Sequence, residues 1–166
     1  MSQKKYIMDQ SAARVKLSRM ALEIAEKLSH SDLPVVLLGV APGGSILARQ
    51  FLPLLQSHLP QVLDIIEVGL NKSLPEAVNI STNLSLTQKH VVLIDDVANS
   101  GKTLLYALKP VLAFQPASIT TLVLVERMHR TFPVKPDVVG MSVSTTPQQH
   151  IEVETNGQEV LGVSVQ

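Results

Sequence analysis

The residues with the strongest capacity for chemistry are Asp95-Asp96-Val97-Ala98-Asn99-Ser100-Gly101-Lys102-Thr103. They follow His90-Val91-Val92-Leu93-Ile94, a largely β-branched apolar run that predicts a buried strand ending at the two acids. After them, Leu104, Leu108 and Val111 recur at helical spacing. A strand, turn and helix in that order aim backbone N–H groups at whatever lies above the sheet edge. The N–H groups of Ser100 to Thr103, with the Ser100 and Thr103 hydroxyls, suit a phosphate, which the helix dipole also favours. Asp95 and Asp96 repel phosphate but accept hydrogen bonds from hydroxyls. A ligand with a phosphate at one end and vicinal hydroxyls at the other satisfies both halves, and a sugar 5-phosphate has that shape.

Two other readings compete for this stretch. Gly101-Lys102-Thr103 matches the second half of the P-loop, but the first glycine of that motif falls on Asp96, so the P-loop reading fails. A βα corner whose acids merely cap a helix would explain an acid pair alone. It does not explain the whole run.

Asp95 to Thr103 resembles the phosphoribosyl-pyrophosphate signature of type I phosphoribosyltransferases, in which two acids precede two variable residues and Thr/Ser-Gly-x-Thr. Tyr6-Ile7-Met8-Asp9, Leu17 to Ile24, Leu124-Val125-Glu126-Arg127-Met128-His129-Arg130 and Asp137-Val138-Val139-Gly140 extend the likeness over most of the chain. There the resemblance is to the subgroup of pyrimidine-operon regulators with uracil phosphoribosyltransferase activity. It implies that Asp95 and Asp96 hold ribose hydroxyls and that Ala98 to Thr103 hold the 5-phosphate. It also implies Mg²⁺ bridging pyrophosphate and ribose oxygens, reached by Asp95 or Asp96 through water and by no side chain directly.

The elements that must position these groups alternate along the chain. Leu17, Met20, Ala21, Ile24, Ala25 and Leu28 predict an amphipathic helix over Asp9 to Leu28, capped by Asp9 or Ser11. Pro34 to Val40 predicts a second buried strand, leading into the turn Ala41-Pro42-Gly43-Gly44 and a helix through Leu47, Phe51, Leu54 and Leu55 that Pro53 should kink or restart. By resemblance, this turn binds pyrophosphate through backbone N–H groups, which glycines suit because they let backbone approach a ligand closely. The family has a basic residue at or beside position 42, and this sequence has none. Many members of the family carry a cis peptide between non-proline residues at this place. Because cis costs little before proline, Ala41–Pro42 is expected to be cis or to populate both isomers, with the Gly43 and Gly44 N–H groups turned toward the signature loop.

Val62 to Val68 predicts a third strand. The polar Gly69 to Thr87 segment, with a weak strand at Ala77 to Ile80, matches the family's closing catalytic loop; Lys72 is its only cation, and the subgroup's Tyr-Arg pair is missing. Ala117 to Val125 and Val138 to Val143 predict two more strands. Asn156-Gly157, between Ile151–Val153 and Val160–Val163, predicts a type I′ hairpin. The fold expected is α/β over residues 1–166 as one domain: a mostly parallel twisted sheet flanked by helices, with a small hood and a C-terminal β-hairpin.

Composition narrows the function classes. With 14 basic and 14 acidic residues the chain has no global field for nucleic acid or anionic membrane, so any RNA contact needs a local patch. Arg127, His129 and Arg130, with Arg19 and Lys135, are the candidates for nucleobase or RNA contact. Val139, Met141 and the residues to Thr146 are the family's nucleobase-selecting positions. The absence of cysteine excludes a disulfide framework and thiolate chemistry, and fits a reducing compartment. No membrane-length apolar run and no apolar signal core after Lys5 point to a cytoplasmic protein. His30, His58, His90 and His150 lack metal-ligand spacing and read as structural or surface residues.

The expected activity is transfer of phosphoribose from phosphoribosyl pyrophosphate to a nucleobase, with uracil preferred and pyrophosphate released. Asn99 stands where purine-using relatives carry an aspartate base, and an amide cannot take that role at neutral pH. The alternative is a catalytically weak regulator that senses phosphoribosyl pyrophosphate or pyrimidine nucleotides and binds RNA. A homodimer or larger assembly is expected, because 45% hydrophobic against 17% charged residues leaves apolar surface to cover.

Overall fold

The computed structural model describes residues 3–70, 79–80 and 84–166. Two sheets and three helices make up the described chain. The larger sheet has the order β4 (Asn79–Ile80), β3 (Val62–Gly69), β2 (Val35–Val40), β5 (His90–Ala98), β6 (Ser118–Arg127) and β7 (Val138–Val143). All its pairings are parallel except β3 with β4. This is the α/β architecture expected, and it puts the carboxyl ends of β2 and β5 side by side.

The two faces of the sheet carry separate cores, because alternate strand residues point to opposite faces. On one face, Val35, Leu37, Val92 and Ile94 pack with α1 (Gln10–Leu28) and α2 (Gly43–Gln56). On the other, Val36, Leu38, Val91 and Leu93 pack with α3 (Lys102–Leu112). Helix α1 forms as its periodicity predicts. The Asp9 carboxylate accepts the Ala12 N–H at 2.7 Å as the N-cap, and Leu17, Met20 and Ile24 are fully buried. Such burial contributes about 1.5–3 kcal/mol per large side chain.

Of the kink or restart expected at Pro53, the restart does not occur: α2 runs on to Gln56. The proline lies on the exposed side near the helix end, where only one turn depends on the missing N–H, and the buried Phe51 and Leu55 hold that turn in place. Pro110, half-buried, likewise lies inside α3 near its end at Leu112.

The smaller sheet is antiparallel, with the order β1 (Lys5–Asp9), β9 (Val160–Val165), β8 (Ile151–Thr155). Its buried Met8, Val160 and Val163 join the core that holds α1 and α2. The C-terminal hairpin is present, but its turn is not type I′. Residues 156–159 form a four-residue loop in which Gly157 alone has positive φ (+87°), whereas type I′ needs two such residues. Asn156 instead closes the turn with its side chain, whose oxygen accepts the Gln158 and Glu159 N–H groups at 3.0 and 2.9 Å. Most of the Gly69 to Thr87 segment, including Lys72, lies outside the described residues.

Candidate active site

Strand β5 does not stop at the acids. It continues through Asp95 and Asp96 to Ala98, because β6 keeps pairing with it: Asp95 faces Val123, Val97 faces Val125 and Ala98 faces Glu126. Placing the acids inside a strand sends their side chains to opposite faces. Asp95 has 0% exposure, and its Oδ1 accepts the Asp96 N–H at 2.9 Å. It lines the α3 side with Thr103 and Leu104. Asp96 is half-buried on the α2 side, with its Oδ1 accepting the Val97 N–H at 2.8 Å.

Beyond Ala98 the chain turns through Asn99, Ser100 and Gly101 into α3. Gly101 has φ +86°, a left-handed conformation that only glycine adopts without strain. The Ser100 hydroxyl accepts the Lys102 N–H at 3.2 Å, so it stiffens the loop that it was expected to serve as a ligand group. Asp95, Val97, Ala98, Asn99, Ser100, Gly101, Thr103 and Leu104 enclose a cavity of about 70 Å³. The cavity opens at the start of α3, where the helix N–H groups favour an anion, and the buried Asp95 carboxylate closes its strand side.

The second turn sits beside the first. The Ala41 N–H donates to Val68 O at 2.9 Å, the Ala41–Pro42 peptide is cis, and α2 starts at Gly43. The turn is thus confined to Ala41 and Pro42, and both glycines belong to the first helical turn. Contact with β5 requires them there. A Cβ on Gly43 would fall 2.1 Å from Asp96 Oδ2, and one on Gly44 would fall 2.3 Å from Ile94 O. Two helix N-termini, α2 and α3, therefore flank the acid pair.

A larger cleft of about 520 Å³ opens next to the α3 loop, lined by Asn99, Ser100, Arg127, His129, Thr131, Thr145 and Pro147. The Thr131 and Phe132 N–H groups both donate to Ser100 O, at 3.1 and 3.0 Å, which ties the segment after β6 to the α3 loop. Arg127 donates to Thr146 O. Arg130 lines an adjoining hollow with Met128, His129 and Thr131. Thr145 belongs to the stretch ending at Thr146 that the family resemblance singles out for the nucleobase, whereas Thr131 and Pro147 carry no motif and only folding brings them to this wall.

Other candidates lie elsewhere. Val139 packs with the core under α3 and Met141 with the core under α1, so both side chains serve packing. Arg19 does not join a basic patch. It donates to Val139 O at 2.9 Å and Gly140 O at 3.0 Å on edge strand β7, and it pairs with Glu23. Free edge carbonyls attract such a donor. Lys135 lies beside Leu108, Leu112 and Ile119 on the α3 face. The basic cluster at the cleft is therefore Arg127, His129 and Arg130. His90 is structural as expected: its ring nitrogens lie 2.6 Å from Ser118 Oγ and 2.8 Å from Ser31 Oγ, and burial followed by the nearby His30 lowers its pKa.

Comparison with known proteins matches this arrangement to one family. The phosphoribosyl transferase domain family matches residues 6–157. A relative from Actinobacillus pleuropneumoniae serotype 5b, named bifunctional protein PyrR, is 33% identical over 162 residues, covering 91% of this chain and 89% of its own. Another protein of that name, from Oceanobacillus iheyensis, is 29% identical over 171 residues, covering 96% and 94%. Among solved structures, the hypoxanthine phosphoribosyltransferase of Trypanosoma cruzi superposes with a TM-score of 0.82 at 19% identity, covering 97% of this chain and 95% of its own, a likeness of fold alone. With two anion-ready helix ends flanking an acid pair and a family match spanning most of the sequence, the chain belongs to the phosphoribosyl transferase domain family.

Proposed function

We propose that the protein transfers phosphoribose from phosphoribosyl pyrophosphate to a nucleobase, uracil before others, and releases pyrophosphate. The observation that carries this is the position of Asp96, whose carboxylate lies against Gly43 at the start of α2 and one short turn from the start of α3. The α3 loop, Ala98 to Thr103, binds the 5-phosphate. The Gly43 and Gly44 N–H groups bind pyrophosphate, and Asp96 holds the ribose hydroxyls between them. Asp95 fixes the strand end that carries Asp96. Rate enhancement comes from holding the sugar at both ends and from N–H groups that stabilise charge as pyrophosphate leaves. Arg127 and the Thr145–Pro147 wall form the side from which the base enters.

Magnesium fits this donor set. Among the described residues no group of three or more metal-ligating side chains occurs, and one half-buried carboxylate beside two anion sites is what an ion held mostly by phosphate and water oxygens requires. When bound, it would neutralise charge on the departing pyrophosphate. Incubating the chain with phosphoribosyl pyrophosphate, Mg²⁺ and each common base, and assaying pyrophosphate, tests the proposal. Release with uracil supports it, and no release with any base refutes it.

A second reading is favoured by Arg127, His129 and Arg130 beside the α3 loop: the same site senses a nucleotide and changes the grip of this segment on RNA phosphates. The bonds from Thr131 and Phe132 to Ser100 O supply the link. RNA affinity that is unmoved by a pyrimidine nucleotide would refute this reading. The protein works as one domain and as a homodimer or larger assembly in the cytoplasm; sedimentation as a monomer at micromolar concentration contradicts the assembly.

A further inference from the structure

Between Val35 and Gly69, the stretch that builds β2, α2 and β3, the sequence holds one Lys or Arg, and it is Arg49. A pyrophosphate bound at Ala41–Gly44 would find no side-chain cation in the loop itself. Arg49 lies seven residues past Pro42, about two helical turns, and four past Ser45, so these positions share a helix face. Helical side chains lean toward the N-terminus, so Arg49 covers the turn that contains Ser45.

The guanidinium position is consistent with this. Arg49 Nη1 lies 3.9 Å from Glu67 Oε2. Glu67 pairs with Gly39 across the sheet, and a Cβ on Gly39 would fall 2.7 Å from Ser45 Cα and 2.8 Å from Gly44 O. Glu67, Gly39 and the first turn of α2 are therefore level with one another, and the guanidinium sits at that level. The ion pair that holds it is loose. At 3.9 Å, with the side chains 53% and 54% exposed, it is screened by solvent and worth at most about 1 kcal/mol.

We infer that Arg49 is the charge partner of the pyrophosphate group, delivered from the second turn of α2 instead of from the loop, with Glu67 holding it when no pyrophosphate is bound. This rests on the phosphoribosyltransferase reading above. A guanidinium offers a planar fork of donors that matches phosphate oxygens, and its exchange from a loose carboxylate to a multiply charged anion is electrostatically favourable. Glu67 then competes with the ligand for the same donors. Removing its charge should tighten pyrophosphate binding.

The test is calorimetric titration of the full chain with magnesium pyrophosphate and, separately, with ribose 5-phosphate. Arg49→Ala should weaken pyrophosphate by about tenfold or more, the effect of losing one charge-assisted contact. It should leave ribose 5-phosphate within about twofold, because that ligand uses the α3 loop. Arg49→Lys should recover part of the loss, and Glu67→Gln should bind pyrophosphate at least as tightly as the unaltered chain. Pyrophosphate affinity unchanged in Arg49→Ala, or both ligands weakened equally, overturns the inference. An unaltered chain that binds ribose 5-phosphate but not pyrophosphate overturns it too, and one that binds neither removes the phosphoribosyltransferase reading along with it.

Discussion

Gly43 and Asp96 are packed so closely that a β-carbon on the glycine would lie 2.1 Å from the Asp96 Oδ2 atom. The start of α2 can reach β5 because position 43 has no side chain, and that approach is what places an anion-binding helix end against the acid pair. Gly43→Ala must therefore push α2 or the carboxylate aside. A cost of about 1–3 kcal/mol is expected by denaturant unfolding, with loss of pyrophosphate affinity. Gly69→Ala is the control, since a Cβ there meets nothing within 4 Å among the described residues, and it should stay within about 0.5 kcal/mol. If Gly43→Ala bound pyrophosphate like the unaltered chain, the approach of α2 to β5 would have no bearing on ligand binding.

Asp95 and Asp96 should separate into a structural and a ligand role. Asp96→Asn keeps the shape but loses the charge offered to ribose hydroxyls, so ribose 5-phosphate affinity should fall about 10- to 100-fold with little change in melting temperature. Asp95→Ala removes the acceptor of the Asp96 N–H from a fully buried site and should cost about 1–3 kcal/mol of stability. Calorimetry and unfolding curves on both variants decide it. The reverse pattern, stability lost in Asp96→Asn and affinity alone lost in Asp95→Ala, would contradict the assignment.

Much of this division could not be read from the chain. The run of Val91 to Ile94 showed the strand, and the acids looked like its end because carboxylates usually mark exposed positions. Their continuation to Ala98 is set by pairing with β6, a partner some twenty-eight residues distant in the register Asp95 to Val123. The helix after Thr103 and the two turns at strand ends were legible because periodicity and glycine are local signals. Strand β1 was not, since Lys5–Asp9 becomes a strand only by pairing with Val165 to Gly162 at the other end of the chain. The same holds for the cleft wall at Thr131 and Pro147. Arg19 was misread because a surface arginine in sequence gives no hint that an unpaired edge strand will claim it.

Protonation of His90 gives a further check. Burial, then the charge of His30, lowers its folded pKa below the usual 6.5, so the unfolded chain binds the proton more readily. The stability linked to His90 is thus fully present above pH 6.5 and is lost as pH falls toward the lowered folded value. Urea unfolding between pH 5 and pH 8 should show the unaltered chain losing stability on acidification more steeply than His90→Asn. Parallel curves would mean that the histidine titrates alike in both states.

The most direct measurement of the central claim is pyrophosphate release by the purified chain supplied with phosphoribosyl pyrophosphate, Mg²⁺ and uracil, run beside Asp96→Asn. Release that requires uracil and falls by at least about tenfold in the variant is the expected result. Release that is absent, or that is equal in Asp96→Asn, would contradict the account.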